Sequence, residues 1–119
     1  MSPFKDGWTR EDVEAVIARG SPDELLYVPI VVGVNPPDCD WAQEICLSLS
    51  SHRHFNVRGN AVLGFGHLAR VCRKLDTTRV VPVVSAALND EHEYVRGHAA
   101  DAAADIEHFL KVQVPGHET

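Results

Sequence analysis

Near the end of the chain His98, Asp101, Asp105 and His108 follow one another at spacings of three, four and three residues. On a helix that spacing places two imidazoles and two carboxylates on one face. Such groups can hold a metal between helices or offer a partner a charged, hydrogen-bonding surface. A second set, Asn60, Leu63, His67 and Arg70, precedes the first at a constant offset of 38 residues. The two sets join amide, imidazole, guanidinium and carboxylate groups along one ridge. No Ser or Cys stands beside a His on this face at a plausible distance, so nucleophilic catalysis has little support. Gly59, Gly64 and Gly66 follow no strand and precede no Lys-Ser/Thr, which speaks against a phosphate loop. We expect no catalytic residue and no metal ligand, and take all eight residues as a partner-binding surface.

The elements that must position this ridge repeat. Val57-Arg58-Gly59-x-Ala61 returns as Val95-Arg96-Gly97-x-Ala99 at the same offset, and Leu68 is answered by Ile106. A repeated amphipathic helix that cannot bury its apolar face alone has to stack on its copy, which points to a helical solenoid. Ahead of the repeat, Thr9 caps a helix that Gly20 ends, with Val13, Val16 and Ile17 as its buried stripe. Phe4 and Trp8 in the loose lead can anchor onto it. Ser21-Pro22-Asp23-Glu24 is a strong helix start, and the spacing predicts one kinked, well-buried helix over Pro22–Val34, bent at Pro29. After the break at Asn35-Pro36-Pro37, Asp38 or Asp40 caps a helix carrying Trp41, Ala42, Ile45, Cys46 and Leu49 inward.

Val57, Ala61, Gly64, Phe65, Leu68 and Cys72 form the buried stripe of the next helix. Gly64 and Gly66 each cost about 1 kcal/mol there relative to Ala, so a neighbouring helix is expected to approach closely at both. Arg79–Leu88, with Pro82 near its first turn, and Tyr94–Leu110 complete the second copy, and the chain from Val112 reads as a frayed tail. Arg58 and Arg96, each one residue after a buried valine, are expected to be structural.

A helix ending in Leu, a turn rich in Asp or His, and Val-Arg-x-x-Ala opening a second helix resembles the HEAT-repeat family over about Asp40–Leu110. The signature occurs as Leu49…Val57-Arg58-Gly59-Asn60-Ala61 and as Leu88-Asn89-Asp90…Val95-Arg96-Gly97-His98-Ala99. The first turn has one extra residue and histidines where aspartate is usual. The resemblance implies an all-α chain, a right-handed α-solenoid of about three antiparallel helix pairs. Residues 1–119 would form one domain, with 9–34 a degenerate capping pair and 40–72 and 77–110 the repeats. It implies that second helices line a concave working surface. HEAT-like deoxyhypusine hydroxylases bind iron through His-Glu pairs on such helices. Here Gly97-His98 occupies that place, and the only His-Glu, His92-Glu93, falls in or beside a turn.

A length of 119 residues with 45 % apolar content fits one domain. No apolar run is long enough for a membrane span and no leader pattern opens the chain, so a cytoplasmic protein without membrane contact is expected. Cys39, Cys46 and Cys72 are odd in number and show no C-x-x-C spacing, so neither a disulfide framework nor a zinc site is expected, and Cys46 and Cys72, on apolar helix faces, are read as buried reduced thiols. The net charge of −6 is segregated, since Glu44 to Asp76 encloses Arg53, Arg58, Arg70, Arg73 and Lys74 without an acid between them. A basic middle between acidic flanks can set the register of a charged partner, but does not suit a long uniform polyanion, and no aromatic stripe accompanies it. Nucleic acid is therefore not the expected partner. In size and composition the chain is similar to immunity proteins that neutralise secreted polymorphic or contact-dependent toxins. The function expected is a protein-binding module of that kind, with a basic toxin domain as partner and no cofactor. A HEAT-type metal-dependent or small-molecule enzyme, or a regulatory adaptor, is the alternative.

Overall fold

Thr9 accepts a hydrogen bond from the Asp12 amide while the Asp12 carboxylate takes the Thr9 N–H, and this capping box opens α1, Arg10–Arg19. Gly20, in the left-handed region at φ 70°, closes it. The computed structural model describes residues 2–4 and 7–117, and every regular element in them is helical. The expected single helix over Pro22–Val34 is two pieces, α2 (Pro22–Leu25) and α3 (Val28–Val34), separated by a turn at Leu26-Tyr27. Pro29 is the physical reason. It lacks an N–H, so it is accommodated in the first turn of a new helix rather than inside a long one.

α4, Cys39–Leu49, is capped by Asp38, whose carboxylate accepts from the Trp41 amide at 3.0 Å. α5, Phe55–Cys72, is the hub: it packs against α3, α4 and α7, while α6, Thr77–Ala87, packs on α7, Glu93–Leu110. Neighbours on several sides explain why α5 is buried well beyond a single stripe. Val57, Ala61, Val62, Phe65, Leu68 and Ala69 are all enclosed. Pro82 lies within α6 rather than at its start.

Glycines set the spacing around the hub. A methyl group on Gly64 would lie 2.7 Å from Cys46 Sγ of α4, one on Gly66 3.0 Å from Ala102 Cα of α7, and one on Gly59 2.8 Å from the Tyr94 ring. Gly33 of α3 faces Gly64 closely as well. Both expected close approaches, at Gly64 and Gly66, are therefore present.

Two further expectations are corrected. Cys39 and Cys72 form a disulfide with Cα atoms 6.2 Å apart, and Cys46 alone is a free, buried thiol. The start of α4 lies beside the end of α5, which brings together cysteines 33 residues apart in sequence. The segment after Val112 is docked rather than frayed. Val114 is fully buried, Ser85 donates to the Pro115 carbonyl, and the Glu107 carboxylate accepts from the Val114 amide and the Gln113 side chain. At the other end Trp8 meets Phe4 edge-on and stacks on Trp41, so the lead is anchored, but on α4 rather than on the first helix as expected.

Gly64→Ala is expected to destabilise by about 1–3 kcal/mol through overpacking against Cys46. Gly97→Ala, whose new methyl meets nothing within 4 Å, should stabilise by about 0.5–1 kcal/mol. Chemical denaturation of both variants checks the pair, and equal shifts of the same sign would overturn the packing argument. Closing a loop of this length should contribute about 2–4 kcal/mol, so reductant, or the Cys39→Ser/Cys72→Ser double variant, should lower the denaturation midpoint accordingly. A midpoint indifferent to both would refute the bridge.

Candidate functional site on α5 and α7

α5 and α7 pack along their lengths, and the repeat offset brings the two halves of the expected ridge side by side. Seven of the eight residues reach its surface. Arg70, Asp101 and His108 are exposed, and Leu63, His67, His98 and Asp105 are half-buried. Asn60 does not reach it, being only 5 % exposed with both ends of its amide engaged. Its Nδ2 donates to the Leu26 carbonyl at 2.8 Å, the backbone group exposed by the break between α2 and α3. Its Oδ1 accepts from the Tyr94 hydroxyl at 2.5 Å. Asn60 therefore ties the entry of α3 to α5 and α7, because a buried amide must satisfy donor and acceptor alike.

On the ridge Arg70 Nη2 donates to His67 Nδ1 at 2.9 Å, which makes Nδ1 the unprotonated nitrogen. Burial pushes the His67 pKa down, and Arg70 adds to that against the opposing pull of Asp105. His98, under the Tyr94 ring at 4.2 Å, is likewise pushed down by burial, with Asp101 opposing. The Asp105 carboxylate lies over α5 where Gly66 leaves room, since a methyl there would stand 3.1 Å from its Oδ2. His108 packs edge-on to Phe109, over which Arg73 lies. The arrangement sets His67 and His98, whose pKa values are both pushed down by burial, beside a cation on α5 and two carboxylates on α7, with His108 exposed at its end.

Among the described residues no group of three or more His, Cys, Asp or Glu side chains is placed to hold a metal. The free thiol, Cys46, is fully buried and its pKa is pushed up to about 12 by that burial, which leaves it unreactive. The ridge offers hydrogen-bonding groups and both signs of charge.

The expected structural arginines part company. Arg58 grips both turns: Nε and Nη2 donate to the two Asp90 oxygens at 2.8 Å each, and Nη1 donates to the His52 and Arg53 carbonyls. Both side chains are only 15 % exposed. Arg96 is exposed and, among the described residues, its side chain makes a single bond, Nη1 to the Asp90 carbonyl at 2.8 Å. Other members of the basic middle also pair outward, Lys74 with Asp40 and, from the flank, Arg79 with Glu44.

A second cluster, not anticipated from the sequence, lies at the edge formed by the turns before α5 and α7. Arg53, His54, Phe55, Arg58, Glu91 and His92 line a cleft of about 410 Å³. Phe55 stacks on His92, with centroids 3.8 Å apart and planes 4° apart, and meets Tyr94 edge-on. The 38-residue offset aligns His54 with His92 and His52 with Asp90, and that was the available signal. His52 Nδ1 accepts from the His54 amide as Asp90 Oδ1 accepts from the His92 amide, so the histidine substitutes for the usual aspartate in shaping its turn.

Comparison of the chain with models of known protein families, with curated proteins and with solved structures finds no match.

The Arg58 hydrogen bond, with its charge, holds the Asp90 carboxyl below the usual range. The associated stabilisation is present above the unfolded value of about 3.9 and is lost as pH falls through the folded one. Arg58→Ala should cost about 1–3 kcal/mol at neutral pH, and Arg96→Ala about 0.5 kcal/mol or less. Asp90→Asn should flatten the acid limb of the stability profile. Denaturation midpoints from pH 3 to 7 test this, and equal effects at Arg58 and Arg96 would overturn it.

Proposed function

We propose that the chain is a protein-binding module of HEAT type, a short right-handed solenoid of antiparallel helix pairs whose second helices carry the working face. The 38-residue repeat and the packing of α5 against both α3 and α7 support that architecture. One observation carries the function. Along α5 and α7 Arg70, Asp101 and His108 are exposed and Leu63, His67, His98 and Asp105 half-buried, which supports a partner-binding face that carries both signs of charge. A partner with basic groups over Asp101 and Asp105 and an acceptor over Arg70 fits this face. A basic toxin domain neutralised by the chain is the partner class that best suits its acidity and size.

The compartment enters the same reading. Disulfides persist where thiols are kept oxidised and are rare in reducing cytosol. Cys39–Cys72 therefore supports encounter with the partner in an oxidising compartment rather than the cytoplasm. No helix among the described residues is long and apolar enough to cross a membrane.

Charge reversal as Asp101→Lys/Asp105→Lys should weaken the complex by about a hundredfold; Asp101 is exposed and Asp105 half-buried, so the denaturation midpoint of the double variant is measured beside its affinity. Calorimetric titration against the protein encoded by the adjacent reading frame measures it. Unchanged affinity in the double variant would remove the ridge from the interface.

A further inference from the structure

We infer that the edge formed by the turns before α5 and α7 is a second docking surface, and that it takes a partner segment bearing one carboxylate beside an apolar side chain. The donors come first. His52 Nδ1 accepts from the His54 amide and His92 Nδ1 from the Tyr94 amide, both at 3.1 Å. A neutral imidazole that accepts at Nδ1 carries its hydrogen on Nε2, so the local backbone fixes both rings as Nε2–H donors. Neither Nε2 has a hydrogen-bond partner among the described residues. Arg53 adds a guanidinium with no acidic partner among those residues, and the His54 ring makes no cap bond to the helix it precedes.

Arg58 is the floor of the cleft, and its charge is already matched by Asp90. Among the cleft-lining residues the available donors are therefore Arg53 and His92, with His52 adjoining the cleft through His54. Burial pushes the His52 pKa down and the Arg53 and Arg58 guanidiniums add to that, so two cations stand on that side of the edge.

The apolar element is Phe55. It is 39 % exposed, although one ring face is covered by His92 and its edge by Tyr94. An aromatic ring held between two neighbours while still open to solvent is a pre-ordered contact for an apolar side chain.

Glu91 narrows the choice of occupant. It lines the same cleft, so a run of negative charges would meet a carboxylate as well as the donors. A strand of nucleic acid, with a phosphate at every step and a chain of net charge −6 to approach, fits poorly. One carboxylate on the Arg53 side and an aliphatic group on Phe55 fit both halves of the cleft. The edge is independent of the ridge, since none of its cleft-lining residues belongs to the ridge set.

Amide-resolved NMR titration of the full chain with the acetylated, amidated tripeptide Leu-Asp-Leu tests the inference. Saturable shifts are expected at Arg53, His54, Phe55 and His92, with binding about tenfold weaker for Leu-Asn-Leu and for Arg53→Glu. Arg53 donates nothing to the fold through its side chain, and its carbonyl, which accepts from Arg58, is untouched by the substitution. Phe55→Ala should weaken the Asp and Asn peptides alike, whereas Asp101→Lys/Asp105→Lys should leave the titration unchanged, which separates failure here from failure of the ridge. Equal binding of the two peptides, or shifts confined to other residues, would overturn the assignment. Tighter binding of a thymidine oligonucleotide at the same amides would overturn it in favour of nucleic acid.

Discussion

The closeness with which α5 meets its neighbours is the constraint on which the rest of the structure depends. Three glycines on one helix are costly by propensity, and the cost is offset only because each lets a different neighbour approach: Cys46 at Gly64, Ala102 at Gly66, Tyr94 at Gly59. Such an approach leaves no room for water between helices, so a buried polar group must be satisfied by protein. Asn60 meets that demand, reaching the Leu26 carbonyl on one side and the Tyr94 hydroxyl on the other. The ridge inherits its geometry from this packing. Asp105 can lie over α5 only because position 66 has no side chain.

A second tie acts at the turns. In the first copy Arg58 satisfies the carbonyls of its own turn and reaches the acid of the next, so the repeats are joined by a charge-assisted, two-pronged contact as well as by apolar packing. The second copy has the same residue type at Arg96, whose side chain is exposed and makes one bond among the described residues, to the Asp90 carbonyl. The same residue at the same repeat position thus has unequal weight, because only Arg58 has an acid from a neighbouring turn within its reach.

Periodicity and local punctuation made much of this legible. The Thr9 capping box, the Gly20 stop, the Asp38 cap and the long helices of both copies arise from nearest-neighbour chemistry, and two close approaches were inferred from asking what could offset Gly64 and Gly66. The features that escaped depend on contacts distant in sequence. Cys39 and Cys72 pair because two helix ends coincide in space, and spacing along the chain carries no sign of it. Val114 is apolar in a polar, Pro-Gly-containing tail, and its burial rests on Glu107 holding the backbone beside it. Asn60 aligns with a surface histidine in the other copy, so the repeat register alone put it on the ridge. Only the break before α3, with its exposed carbonyl, explains why it is buried. The stack of Phe55, His92 and Tyr94 combines residues from both turns and forms no stripe on either helix.

The two surfaces differ in how their imidazoles are controlled, and that difference bears on what each can recognise. On the ridge, His67 is held neutral by burial and by a guanidinium that donates to it; protonation would need that hydrogen bond to break beside a like charge. The folded chain therefore binds this proton less readily than the unfolded one, and as pH falls below the ordinary histidine value the difference counts against the fold. At neutral pH the partner proposed for the ridge would therefore meet its fixed charges, Arg70 against Asp101 and Asp105. At the turn edge the backbone amides of His54 and Tyr94 fix the tautomer at His52 and His92, so the donors are set before any partner arrives. A surface with donors oriented in advance loses less freedom on binding an acceptor than one that must first reorient side chains, and it rewards a single well-placed carboxylate over diffuse negative charge.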